Sequence, residues 1–310
     1  MSRLPIVALS LLGFAFVLAG CRGNGTAFNP PGGSLTFKHM YVSNNDNPGL
    51  IYVYTLPVSA ASTPVATVTV GEFPAMLFVD AKGRLFVPEF YSSATTVQVF
   101  KLPLTAASTP LFDLTTSQPE PDAVTEDASG TVYVADERSG GYIDIYNGPV
   151  TGAASPSSTI SNNAVGNSGL MYPYDIAIAP NGDLYASDYQ DINQFTPPFI
   201  ASSVPSASVT PNQDNYGLRV DSNNRVFVAD ASADGIVNVY TQPVTNSSTP
   251  AFNLSVSGTY VVGLAFDGSG NLWAVDANNA LWEVTAPITS SSTATKILTL
   301  TEGYGIAFGP

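Results

Sequence analysis

The sequence predicts an all-β fold, a six-bladed β-propeller of four-stranded blades, and three observations carry that prediction. A strand, turn and strand ending in an acid recur as FVDAKGRLFVPE (78–89), TEDASGTVYVAD (125–136), IAPNGDLYASD (178–188), RVDSNNRVFVAD (219–230) and AFDGSGNLWAVD (265–276). An alternating apolar strand occurs in six copies, IYVY (51–54), VQVF (97–100), IDIY (143–146), INQF (192–195), VNVY (237–240) and LWEV (281–284). Two prolines seven residues apart follow it at Pro57/Pro64, Pro103/Pro110, Pro149/Pro156, Pro198/Pro205 and Pro243/Pro250, and the sixth copy has Pro287 with Ala294. Six units of about 46 residues, each with four short strands, fit a radial repeat over residues 36–310.

Each element of the unit has its own physical cause. Period-2 alternation of β-branched and aromatic residues makes the strands, and Asx-Gly-type turns make the hairpins. The first proline stops the third strand. The second opens a fourth strand that belongs at an edge, because proline removes a ladder donor. The Ser/Thr filling between the prolines has the composition of a glycosylated stalk, but its fixed spacing assigns it to a structural loop. The first copy begins at its second strand, His39-Met40-Tyr41-Val42. Its missing strand is Tyr304-Gly305-Ile306-Ala307-Phe308, which matches Val262-Gly263-Leu264-Ala265-Phe266. The ring is therefore expected to close by pairing N- and C-terminal strands, which removes two exposed edges.

Residues 1–20 read as an export signal: Arg3, then an apolar run from Leu4 to Ala19 that is short for a transmembrane helix. Leu18-Ala19-Gly20-Cys21 resembles the lipobox of bacterial lipoproteins, which implies lipidation of Cys21 and an exported chain anchored by lipid to a membrane of the cell envelope. Residues 21–35, rich in Gly, Asn and Pro, read as a flexible tether.

Composition removes several function classes. The net charge is −14, so a phosphate-tracking nucleic-acid surface is excluded. A single cysteine and a single histidine exclude an intrachain disulfide and a Cys/His zinc cluster, and leave His39 as the only imidazole. His39 aligns with Arg84 near a hairpin turn, where a solvated strand-end residue is expected. A monomer is expected.

The repeat resembles the NHL family of propellers, whose units run approximately hydrophobic-Asp-x-x-Gly-x-hydrophobic-Tyr-Val-Ala-Asp before an alternating strand. That resemblance covers nearly all of residues 36–310. It implies the fold, on which binding modules, lyases and lactonases all occur.

In such a propeller the first strand lines the channel, and its start shares a face, here called upper, with the end of the second strand. Repeat position assigns most of the 24 acids to the upper face, with Arg138 the one base beside them. This polarity favours cationic partners there. The acids ending the second strands, Glu89, Asp136, Asp188, Asp230 and Asp276, are expected to cap the following turn. Five residues before each lower turn, the channel mouth holds Ala75, Asp122, Tyr174, Tyr216, Val262 and Tyr304. Asp122, Tyr174, Tyr216 and Tyr304, with Asp175 one residue deeper, are the candidate ligand-binding set. Tyrosine is also an ordinary propeller core residue.

The gluconolactonase-like propellers are similar in blade pattern, and that resemblance implies a divalent metal held by Glu, Asn and Asp at this register. Only Asp122 matches, and Glu302-Gly303 is displaced by two residues from the family's Glu-Gly-Pro. Arg219, in the middle of a first strand, needs an acid, and Glu126 is the expected interblade partner, with anion binding in the channel as the other reading. The expectation is a non-catalytic binding or scaffold module of the envelope. Its ligand would be a small molecule, saccharide or protein, cationic or neutral, with no cofactor required and a divalent cation such as Ca²⁺ as a candidate. The alternative is a divalent-metal hydrolase of the lactonase type.

Overall fold

The computed structural model describes residues 36–161, 170–210, 215–230, 234–257 and 259–310. Residues 1–35, on which the expected export signal, Cys21 and the expected tether fall, lie outside the described residues. The described strands form six four-stranded sheets, each an antiparallel meander from the channel outward. Taken from the sheet that holds both chain ends, the inner strands of blades 1 to 6 are Ile306–Gly309, Phe78–Val79, Pro121–Glu126, Pro173–Ile178, Asn215–Val220 and Val261–Phe266. This is the six-bladed propeller that the repeats predict.

Ring closure follows the predicted register. His39 pairs with Gly309, Met40 with Phe308, Tyr41 with Ala307 and Val42 with Ile306. Both the Tyr41 hydroxyl (3.0 Å) and His39 Nδ1 (2.9 Å) contact the Pro310 carbonyl oxygen. His39 thus sits at the lower end as aligned, but its ring is tied into the closure and is only partly exposed.

Strand alternation builds the core between blades. Met40 and Val42 pack with Trp273 and Val275 of blade 6, whereas Tyr41 between them packs with Leu85 and Val87 of blade 2. Apolar side chains on both faces are buried, so each strand contributes to two interfaces. The first proline of every pair follows a cis peptide bond, and the strand after the second proline is the outer edge of its sheet.

The lower turns are closed by their acids. Asp80 Oδ1 accepts the amides of Lys82 (3.0 Å) and Arg84 (2.8 Å), and Asp127, Asp221 and Asp267 repeat this with their own turns. The second carboxylate oxygen takes a donor from the next strand: Arg84 Nε at 2.6 Å, Tyr133 Oη at 2.9 Å, Arg225 Nε at 2.7 Å and Trp273 Nε1 at 2.9 Å.

Candidate functional site at the upper channel mouth

Four inner strands slip register at their upper ends, between Pro121 and Ala123, Pro173 and Asp175, Asn215 and Leu218, and Val261 and Gly263. The extra residues are Asp122, Tyr174, Tyr216 with Gly217, and Val262. A bulge turns its residue out of the ladder, which frees Asp122, Tyr174 and Tyr216 from the strand alternation, while Val262 stays packed in the core between blades 6 and 1. On the next position the backbones crowd. A Cβ on Gly217 would lie 2.7 Å from Val262 O, one on Gly263 would lie 2.1 Å from Tyr304 O, and one on Gly305 would lie 2.3 Å from Ala75 O. Glycine lets those inner strands approach. Blade 4 has Asp175 at that position, and its carboxylate fills the equivalent space.

The candidate residues come together. The Tyr174 and Tyr216 rings stack with centroids 4.5 Å apart and planes 16° apart. Tyr304 is raised well above the ordinary phenol range by burial, then by Asp122, Glu137 and the other two tyrosines. Asp122 is fully buried, and among the described residues neither of its oxygens has a hydrogen-bond partner. Burial, then Glu137 and Asp175, hold it well above the usual carboxylate range. Glu137 is pushed up to about 8 by burial and Glu120, against a hydrogen bond from Tyr174 that lowers it.

Asp175 has a different role from Asp122. Its Oδ1 accepts Ile176 N (2.9 Å) and its Oδ2 accepts Leu218 N (2.8 Å) and pairs with Arg219 Nη1. Arg219 therefore makes an interblade ion pair, but with Asp175 and not with the expected Glu126. Asp175 is on the neighbouring inner strand, whereas Glu126 is a blade further and faces Lys82 (3.5 Å) and Arg84 (3.9 Å). Asp175 is a support behind Asp122, with its oxygens already engaged.

The acids ending the second strands divide. Asp188 Oδ1 accepts Gln190 N (3.0 Å) and Asp191 N (2.8 Å), and Asp276 Oδ1 accepts Asn278 N and Ala280 N, each at 2.9 Å. These are the predicted caps. Their second oxygens take Asn193 Nδ2 (3.0 Å) and Trp282 Nε1 (2.9 Å) from the third strand, and Asp230 meets Asn238 Nδ2 at 3.4 Å. Blade 3 departs from the pattern, because the third-strand residue there is Asp144. Asp136 and Asp144 are both fully buried, and neither can donate to the other unless one carries a proton. Asp144 accepts Ser117 N (2.6 Å), Ser117 Oγ (2.7 Å) and Thr159 Oγ1 (2.6 Å), which engages both of its oxygens. Asp136 is driven well above the usual range by burial and then by Asp144. In blade 2, burial followed by Asp113 and Glu72 pushes Glu89 up to about 7.

The residues do not fit the metal of the gluconolactonase-like propellers. One carboxylate, Asp122, stands at the register, and among the described residues no three His, Cys, Asp or Glu side chains are arranged to hold an ion. Glu137 belongs to this cluster but not to the ligand set expected from the repeats. Its signal was its place just after the second-strand acid.

No protein-family model matches the chain, and no curated protein matches it in sequence. Solved structures do match. A Bacteroides caccae protein of unknown function is 13% identical with a TM-score of 0.64, over 88% of this chain and 99% of that one. A Lactobacillus plantarum protein is 13% identical with a TM-score of 0.62, over 87% and 83%. The periplasmic gluconolactonase of Pseudomonas aeruginosa is 13% identical with a TM-score of 0.59, over 84% and 82%. These likenesses show the propeller fold.

Proposed function

We propose that the protein is an exported, lipid-anchored binding module of the bacterial cell envelope that takes a cationic ligand at the upper channel mouth without catalysing a reaction on it. The observation that carries this reading is Asp122, buried and unpartnered on a bulge beside Glu137, Tyr174, Tyr216 and Tyr304. A buried carboxyl without a donor is costly, and an ammonium group would supply both the charge and the hydrogen bonds it lacks. Tyrosine edges and faces suit the methylene groups of such a ligand. Export and anchoring are supported by the resemblance of residues 18–21 to a lipobox.

Calorimetry with putrescine, choline and glucosamine, and with CaCl₂ as the inorganic arm, tests the site. At least one amine should bind, and Asp122→Asn and Tyr216→Ala should each weaken it at least tenfold. Affinity should rise as Glu137 ionises through about 8, since the carboxylate attracts the cation and the carboxylic acid does not. An amine whose affinity ignores both substitutions would overturn the reading. Lactone hydrolysis that depends on Ca²⁺ would favour the alternative of a divalent-metal hydrolase.

A further inference from the structure

A cavity of about 970 Å³ opens at the opposite end of the channel, on the lower face. Its volume lies at the upper end of the usual range for small-molecule sites, roughly 300–1,000 Å³. Phe78, Val124, Ile176, Ile178, Phe266 and Phe308 line it, drawn from blades 1 to 4 and 6, and Phe199 lies at its rim. A continuous apolar wall open to water is unfavourable unless something covers it, and in soluble proteins it marks a binding surface. The cavity carries one distinctive polar group. Arg219 lines it with a side chain that is 20% exposed. Nη1 of Arg219 serves Asp175 and Leu218 O (2.6 Å), while Nε and Nη2 make no hydrogen bond among the described residues. The other charged groups are arranged differently: Glu126 is countered by Lys82 and Arg84, and Asp127 is engaged by its own turn.

We propose that this lower cavity binds a monoanionic amphiphile, a molecule with an elongated apolar body and one carboxylate, taken up free from solution. The apolar body covers the wall, and the carboxylate accepts from the free edge of the Arg219 guanidinium, whose planar fork matches it. The site is separate from the upper mouth. The two are linked by Arg219, which pairs with Asp175.

Laurate and dodecanol, each titrated calorimetrically below its aggregation threshold, are the probes, because they share an apolar body and differ in the head group. Laurate should bind once per chain and at least tenfold more tightly than dodecanol. Ile178→Trp, which places an indole at the wall, should weaken laurate at least tenfold. Ser222→Trp at the exposed rim should weaken it severalfold, and stands in if the first variant melts early. Absence of laurate binding, dodecanol binding as tight as laurate, or laurate binding untouched by both tryptophan variants would overturn the proposal. None of these outcomes bears on amine binding at the upper mouth, so the two readings fail separately.

Discussion

The same inner strands end in opposite chemistry. At the upper mouth they present Asp122, Tyr174, Tyr216 and Tyr304, with Glu137 behind, and at the lower mouth Phe78, Ile178, Phe266 and Phe308. The acids differ in how they are held. Asp80, Asp127, Asp221 and Asp267 at the lower end each accept turn amides and a donor from the next strand. Asp122 at the upper end accepts no hydrogen bond among the described residues. A carboxylate that closes a turn is satisfied by folding itself, whereas one left on a bulge without a donor is a cost that folding does not remove. The lower-turn acids therefore stabilise the ring, as Asp188 and Asp276 do at the upper end. Asp122, on its bulge, does not share that role.

The largest test breaks both ends at once. Removing residues 301–310 takes the inner strand of blade 1 from both mouths, together with the buried Ile306 and Phe308. The shortened chain should show no cooperative melting transition by calorimetry, since two edges open and a core wedge is lost. An intact transition would mean that closure by these strands does not hold the ring.

Next in size is the one link between the ends. Arg219→Gln leaves Asp175 buried without its cation and should cost about 3–5 kcal/mol in urea unfolding. Adding Asp175→Asn should recover part of that loss, because no bare charge remains. If the double variant is as unstable as the single, Arg219 contributes through packing and the link is not ionic.

A smaller and opposite effect belongs to blade 3. Asp136→Asn replaces a buried carboxyl with an amide that can donate to Asp144, while Asp144 keeps the three donors it already accepts, and should stabilise the protein at pH 7 by roughly 1–3 kcal/mol. The pH dependence has a definite sign. Asp122, Asp136, Glu89 and Glu137 all bind protons more tightly folded than unfolded. Their contribution is complete below the unfolded values near 4 and is lost as pH rises, with Glu89 near 7 and Glu137 near 8 marking the window. Melting temperature should therefore fall from about pH 5 to about pH 9, less steeply in Asp136→Asn, which removes one of these groups. The least effect belongs to the lower rim, where Lys82→Ala should change stability by under about 1 kcal/mol, because the lysine is 48% exposed.

Periodicity made the blades, the closure and the lower turns legible, because each rests on local chemistry repeated in register. The gathering of Asp122, Tyr174, Tyr216 and Tyr304 was legible for the same reason. What escaped was pairing across the ring. Which acid meets Arg219 depends on the circular order of inner strands and on which end of the strand each acid occupies, whereas Glu126 was matched to Arg219 by ring position alone. The cap role of Asp136 failed because one residue of the third strand, Asp144, replaces a donor with an acceptor. The lower cavity left no motif. It is made of ordinary apolar strand ends, and its volume depends on how far apart the ring holds them.

Phe37, the second described residue, stacks on Phe308 with ring centroids 6.4 Å apart and lines the lower cavity. The chain thus enters the propeller at the lower mouth. On the proposed anchoring at Cys21, the residues between that cysteine and Phe37 span at most roughly 50 Å when fully extended. The lower mouth is then the end turned toward the bilayer, while an acidic upper face is repelled by anionic lipid headgroups. Such a stance would sort molecules by where they travel: an amphiphile dissolved in the gap beside the membrane would meet the apolar mouth first, and a dissolved cation would arrive from the other side.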